Sequence, residues 1–128
     1  MHYEPTDTEH WARRDTLRID IPPLATTGSY GQTLHVRTTK STPYPFKTLH
    51  VEVAQHWASD SVAIVDTVAC NFEQRGGRST GIAICQYAVP FRTLERQAGD
   101  SARVTLRHVM VQDSVSGISD LGLSLERE

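Results

Sequence analysis

The feature that most restricts this chain is a two-residue alternation of apolar and polar side chains, repeated in short runs. Leu17, Ile19 and Ile21 alternate with Arg18 and Asp20, Leu34 and Val36 with Thr33, His35 and Arg37, and Leu49, Val51 and Val53 with His50, Glu52 and Ala54. Val104, Leu106, His108 and Met110 alternate with Arg103, Thr105 and Arg107, and Leu121, Leu123 and Leu125 with Gly122, Ser124 and Glu126. Successive side chains of a strand point to opposite faces, so each run predicts a strand with one buried face. Another strand is expected over residues 62–72, where Val62, Ile64, Val68, Cys70 and Phe72 share one parity. Asp66-Thr67 interrupts that apolar face, which predicts a bulge or a break. The apolar run from Gly81 to Val89 predicts a strand bent at Pro90-Phe91-Arg92.

Turn signals stand between the runs: Pro22-Pro23, Thr26–Ser29, Ser41–Pro45, Ser59-Asp60-Ser61, Gly76-Gly77-Arg78, Ala98–Ser101 and Asp113–Gly117. Seven or eight short strands at intervals of about a dozen residues, with no sustained helical period, predict an all-β fold. The expected architecture is an antiparallel β-sandwich, jelly-roll or immunoglobulin-like. A parallel α/β sheet would need helical crossovers between its strands, and no segment has that pattern. Residues 1–14 are polar and predict an extended N-terminal segment ahead of a single sandwich domain over 15–128. A chain of 128 residues buries about two-thirds of its unfolded surface, enough for one core without a metal or disulfide staple.

Composition enters through what it excludes. With 13 basic and 15 acidic residues, the formal charge of −2 argues against a nucleic-acid surface or an anionic-membrane surface. No apolar run reaches the ~18 residues that a membrane-spanning helix needs. Two cysteines, Cys70 and Cys85, lack the C-x-x-C spacing of a zinc or redox site and are expected to be buried free thiols, on strands flanking a turn near Gly77.

Motifs that carry chemistry elsewhere are weak here. Gly77-Arg78-Ser79-Thr80-Gly81 matches G-x-S-x-G, but follows a glycine turn and leads into a strand, whereas a nucleophilic serine of that type sits between a strand and a helix. His50, Glu52 and His56 share a strand face, yet without metal-ligand spacing they read as a solvated polar face. His108 lies on the core parity of its strand and is expected to be a hydrogen-bonded core histidine. Trp11, Tyr30, Tyr44, Phe46 and Trp57 suit the ends of a sandwich, where aromatic rings commonly plug the core, or alternatively a sugar-binding face. No catalytic residue, cofactor or metal is expected.

Several of these residues, in their order, resemble the GldH family of gliding-motility lipoproteins of Bacteroidetes. The resemblance runs from Trp11 to Glu126. It is carried by Trp11 to Leu17, the tyrosine-led strand Tyr30 to Arg37, Tyr44, Phe46 and Leu49, Asp66-Thr67, and the glycine-rich Gly77 to Gly81. It continues through His108-Val109-Met110 and closes with Gly117-Ile118, Asp120, Gly122 and Glu126. One departure is Val111, where members usually carry arginine, so a partner contact through that arginine is not carried over.

The resemblance implies a non-catalytic outer-membrane lipoprotein facing the periplasm, held by an N-terminal lipid anchor. Its partners would be envelope proteins of the gliding-motility and type IX secretion machinery. The family's lipidated cysteine is absent, so this chain is expected to be the soluble mature domain, with residues 1–14 following a removed lipoprotein signal. Loop tips on a rigid sandwich are where recognition is usually found, which makes Tyr44, Phe46, Gly77, Arg78, Trp11 and Trp57 the candidate interaction residues. The alternative is a carbohydrate-binding module, which requires Trp11, Tyr44 or Trp57 to be exposed so that a glycan can stack on them.

Overall fold

The computed structural model describes residues 2–5, 11–12, 14–39, 48–71, 78–79, 84–110 and 114–127. Among these residues every regular element is a strand. In chain order they are β1 (His2–Pro5), β2 (Trp11–Ala12), β3 (Leu17–Ile21), β4 (Gly28–Thr39), β5 (Thr48–Trp57), β6 (Ile64–Asn71), β7 (Arg78–Ser79), β8 (Ile84–Arg96), β9 (Ala102–His108), β10 (Ser114–Val115) and β11 (Ile118–Arg127). The seven that run five residues or longer are the strands expected from alternation or, for β8, from an apolar run; β1, β2, β7 and β10 have only two to four residues, too few to show a period.

The strands form a five-stranded sheet in the order β1-β11-β4-β8-β7, a four-stranded sheet in the order β3-β9-β5-β6, and the small pair β2-β10, all antiparallel. The pairings are nested: β5 with β6, β4 with β8, and β3 with β9. A chain that doubles back as one long ribbon and wraps its successive pairs onto alternate sheets has the topology of a jelly roll; an immunoglobulin-type sandwich pairs its strands in another order.

Alternation decides which faces meet. On β5 every second residue is buried: Leu49, Val51, Val53, Gln55 and Trp57. Val53 lies opposite Leu106, Val51 opposite Val68, and Ile19 opposite Val104. In the other sheet Leu34 lies opposite Leu123 and Val36 opposite Leu121. These side chains form one continuous core, each fully buried one contributing about 1.5–3 kcal/mol of transfer free energy.

Three features of the fold bear on the sequence reading. First, β8 runs through Pro90, and the bend expected there is a bulge. The register of β8 against β4 shifts there, with Thr33 opposite Pro90 and Gln32 opposite Arg92, so Phe91 is the extra residue of a bulge. The bulge accommodates a residue with no N–H to give the ladder. It also reverses parity, so that Val89 and Leu94, an odd number of residues apart, both pack on the core. Second, Asp66-Thr67 produces neither bulge nor break: β6 stays in register with β5 from Ile64 to Asn71. Asp66 holds its core-facing position by accepting two hydrogen bonds from the Arg92 guanidinium on the opposite sheet, at 2.7 and 2.8 Å. Third, the N-terminal segment is not separate from the sandwich. β1 pairs with β11, and Trp11 is a core residue.

The two cysteines do not face each other across a hairpin, because β6 and β8 belong to different sheets. Cys70 is a buried free thiol, and burial pushes its pKa up to about 11.

The sheets are also pinned by a polar contact in the core. Gln32 of β4 and Gln55 of β5 exchange two amide hydrogen bonds, at 2.7 and 2.8 Å, and the Trp57 indole N–H donates to the same Gln55 oxygen at 3.0 Å. Both glutamines are almost fully buried. Gln55→Leu leaves the Gln32 amide and the Trp57 N–H without partners and is expected to cost about 2–3 kcal/mol in urea unfolding. The double change Gln32→Leu with Gln55→Leu is expected to cost less than the two single losses added; strictly additive losses would show that the amides are not coupled.

Candidate functional site

Register locates the candidate interaction residues. Thr39 lies opposite Ile84, Thr48 opposite Asn71, Thr38 opposite Ile118 and Val51 opposite His108. The segments 40–47 and 72–77 are therefore both flanked by strand ends at one end of the sandwich. Tyr44, Phe46 and Gly77 themselves lie outside the described residues. Arg78 is on β7, with its backbone opposite Gln86 of β8.

Beneath this end lies Trp11. β2 pairs with β10, placing Trp11 opposite Val115. The indole N–H donates to the Asp15 carbonyl at 2.8 Å, across a turn closed by the bond from Asp15 N to Ala12 O. The ring meets His108 edge-on, with centroids 5.0 Å apart and planes at 74°. His108 Nε2 is 3.0 Å from the Trp11 carbonyl oxygen, which can only accept, so Nε2 carries the proton. His108 Nδ1 then accepts from the Met110 N–H at 3.4 Å. His108 is thus the hydrogen-bonded core histidine that its parity predicts. The Met110 sulfur in turn accepts from the His50 N–H at 3.5 Å, and Val109 N donates to His50 O at 2.9 Å. The His-x-Met segment is a lock joining β9, β5 and β2.

The opposite end is closed by charge. The Arg96 guanidinium lies over the Trp57 ring at 4.7 Å, pairs with Asp60 at 2.8 Å and approaches Asp100 at 3.7 Å. The Asp100 carboxylate accepts from Ser59 Oγ at 2.6 Å and from the Ser101 N–H at 3.0 Å. Leu24 N donates to Asp100 O, and Gly99 N donates to Leu24 O. Gly99 makes that turn with φ of +89°, a conformation a side chain would disfavour. Three inter-strand loops are thereby bound to one another.

Trp11 and Trp57 are 1% and 3% exposed, so neither offers a face for stacking a sugar. Of the three rings a glycan reading needs, only Tyr44 lies outside the described residues. His50, Glu52 and His56 do share the outer face of β5, but both Glu52 oxygens accept from Arg107, at 3.1 and 3.0 Å. Among the described residues no group of three or more His, Cys, Asp or Glu is placed to hold a metal ion. Ser79 sits in a two-residue strand hydrogen-bonded to β8, away from the strand-to-helix setting its motif requires.

On the outer face of the five-stranded sheet, His35 Nε2 and Ser124 Oγ are 2.8 Å apart, both 8% exposed. Arg37 donates to Asp120 at 3.3 Å beside them. Burial holds His35 below the usual histidine value and raises Asp120 above the usual carboxylate range. The contact braces β4 against β11. Sequence reasoning missed this pair, the glutamine pair and the Arg96 cluster. Gln32 and Gln55 could have been found by parity, since both stand where an apolar residue is due.

A family model described as GldH lipoprotein matches residues 1–125. No curated protein matches the chain.

The His35 environment sets a pH dependence. Its folded pKa is below the unfolded value of 6.5, so the unfolded chain binds the proton more readily. The contribution of this group is complete above about pH 6.5 and declines as pH falls below it. In thermal melts between about pH 7.5 and pH 5, His35→Gln is expected to lose less stability than the unaltered protein; an equal loss would remove His35 as a source of the dependence.

Proposed function

The chain belongs to the GldH lipoprotein family, and from that membership we propose a non-catalytic, lipid-anchored protein of the cell envelope. In this reading it faces the periplasm from the outer membrane and serves the gliding-motility and type IX secretion machinery through protein–protein contacts. The observation that carries the proposal is the family match across residues 1–125, nearly the whole chain. The arrangement of polar groups supports it. Glu52, Asp66, Asp100 and His108 are each engaged in an internal contact that braces strands or loops. Such a molecule suits a rigid scaffold that presents loops. An acyl anchor supplies membrane attachment, so the sandwich itself is left to bind partners.

The contact surface proposed is the end bearing segments 40–47 and 72–77, with Tyr44, Phe46, Gly77 and Arg78 as contact residues. Trp11 and Trp57 serve that surface only by stiffening the sandwich behind it, since both are core residues. Crosslinking the full-length lipidated protein in intact cells, followed by affinity purification, is expected to recover components of the motility or secretion apparatus. Tyr44→Ala with Phe46→Ala is expected to reduce that recovery at least tenfold without lowering the melting temperature, whereas recovery of no envelope component would overturn the proposal.

A further inference from the structure

On the four-stranded sheet a hollow of about 530 Å3 lies between Pro23, which follows β3, and Ser101, which precedes β9. Arg103 of β9 and His56 of β5 line it. The ladder sets these two side by side: Arg103 is opposite His56 on one flank and Asp20 of β3 on the other. Alternation turns Ala102 and Val104 into the core and leaves Arg103 exposed, and it leaves His56 exposed between the buried Gln55 and Trp57. Directly opposite side chains stand about 4.5–5.5 Å apart at Cβ, and like charges in such a pair repel.

Other arginines of the molecule are differently placed. Arg107, on the same face of β9, stands opposite Glu52 and donates two hydrogen bonds to it. Arg37, Arg92 and Arg96 likewise bind carboxylates. Asp20, the carboxylate at the hollow, accepts from Arg18 at 3.1 Å. Among the described residues, no hydrogen bond or ion pair engages the Arg103 guanidinium, the His56 ring or the Ser101 hydroxyl. The lining therefore carries a charge of +1 with His56 neutral and +2 with it protonated, on a chain whose formal charge is −2. A hollow of one sign concentrates ions of the other.

The donors come from three elements: β9, β5 and the connection between β8 and β9. A carboxylate presents two oxygens in one plane, whereas a phosphate group presents three in different directions. The arginine fork matches two of them. We propose that this hollow binds the phosphate group of a phosphomonoester, with Arg103 donating a bidentate pair and His56 and Ser101 one bond each. The inference does not rest on the envelope role, and the hollow lies at the Trp57 end, away from segments 40–47 and 72–77. The charged groups around His56 are Arg103 on β9 and the Arg18–Asp20 pair on β3. β6 brings only the uncharged Ile64 and Val65 to this end, Asp60 of the turn is held by Arg96, and Glu52 is held by Arg107.

The test is calorimetric titration of the purified full chain with glycerol 3-phosphate at pH 7.5 and fixed ionic strength. One saturable site is expected, with acetate at least tenfold weaker. Arg103→Gln is expected to weaken glycerol 3-phosphate at least tenfold, and His50→Gln, on the same sheet but away from the hollow, to leave it unchanged. Because the Arg103 and His56 side chains are exposed and bond nothing in the fold, their variants are expected to keep the melting temperature. Inorganic sulfate, whose charge is constant between pH 7.5 and pH 5.5, is expected to bind more tightly as pH falls through the range where histidine gains its proton, and His56→Gln to abolish that gain. Cosedimentation with phosphatidic acid vesicles that glycerol 3-phosphate displaces would assign the phosphate to a lipid headgroup; glycerol 3-phosphate binding without cosedimentation would assign it to a soluble ester. Absence of saturable binding, equal affinity for acetate, or undiminished binding by Arg103→Gln would overturn the proposal.

Discussion

The structure depends on which way each strand's side chains point. A strand has two faces, and shifting its parity by one residue exchanges the core set for the solvent set. Leu34 against Leu123 and Val36 against Leu121 in one sheet, and Val53 against Leu106 in the other, are the rungs that assign the inner faces. Every other device in the molecule keeps that assignment. The bulge at Phe91 is the clearest case: its extra residue lets a thirteen-residue strand cross a proline and still return Leu94 to the core. Without it, the run after Pro90 would turn its apolar residues outward.

Hydrophobic contact between two sheets is non-directional, so it does not by itself prevent one sheet from sliding over the other. Directional bonds supply that restriction. The glutamine pair links β4 to β5 through the middle of the sandwich, and Arg92 links β8 to Asp66 of β6 along one edge. At one end His108 ties β9 to β2; at the other Asp100 binds the connections that follow β3, β5 and β8. A buried amide pair is stabilising only while both members are present, which makes these contacts a means of specifying one alignment rather than a large source of stability.

Parity also explains what was legible beforehand. The seven long strands, the antiparallel sandwich and the buried state of His108 all follow from side chains whose period exceeds a few residues. The short strands β1, β2, β7 and β10 had no period to read, and β1 is recruited by the free edge of β11 rather than by any pattern of its own. The nested strand order could not be read either, because it depends on which edges meet in space. Asp66 shows how a local rule fails: a charge on an apolar face looks like a break until the arginine that neutralises it, 26 residues away, is brought opposite. Trp11 and Trp57 were legible as end-of-sandwich aromatics; their complete burial depends on β10 and on Arg96, which no local pattern connects to them.

The same contacts bear on where a partner can dock. An unpaired edge strand is a template for another strand, and β6 is such an edge in the four-stranded sheet, with Val62 and Val65 exposed near it at 75% and 55%. A charged residue directed inward from an edge is a recognised protection against strand addition, because a docking chain would have to accommodate or displace it. Asp66 occupies that position and is held there by both nitrogens of a bidentate arginine contact. The edge is therefore defended, the end near Trp57 is closed by the Arg96 cluster, and the outer faces carry braced polar pairs. The contact surface proposed above lies at the end flanked by Thr39, Thr48, Asn71 and Ile84, away from the Arg96 cluster.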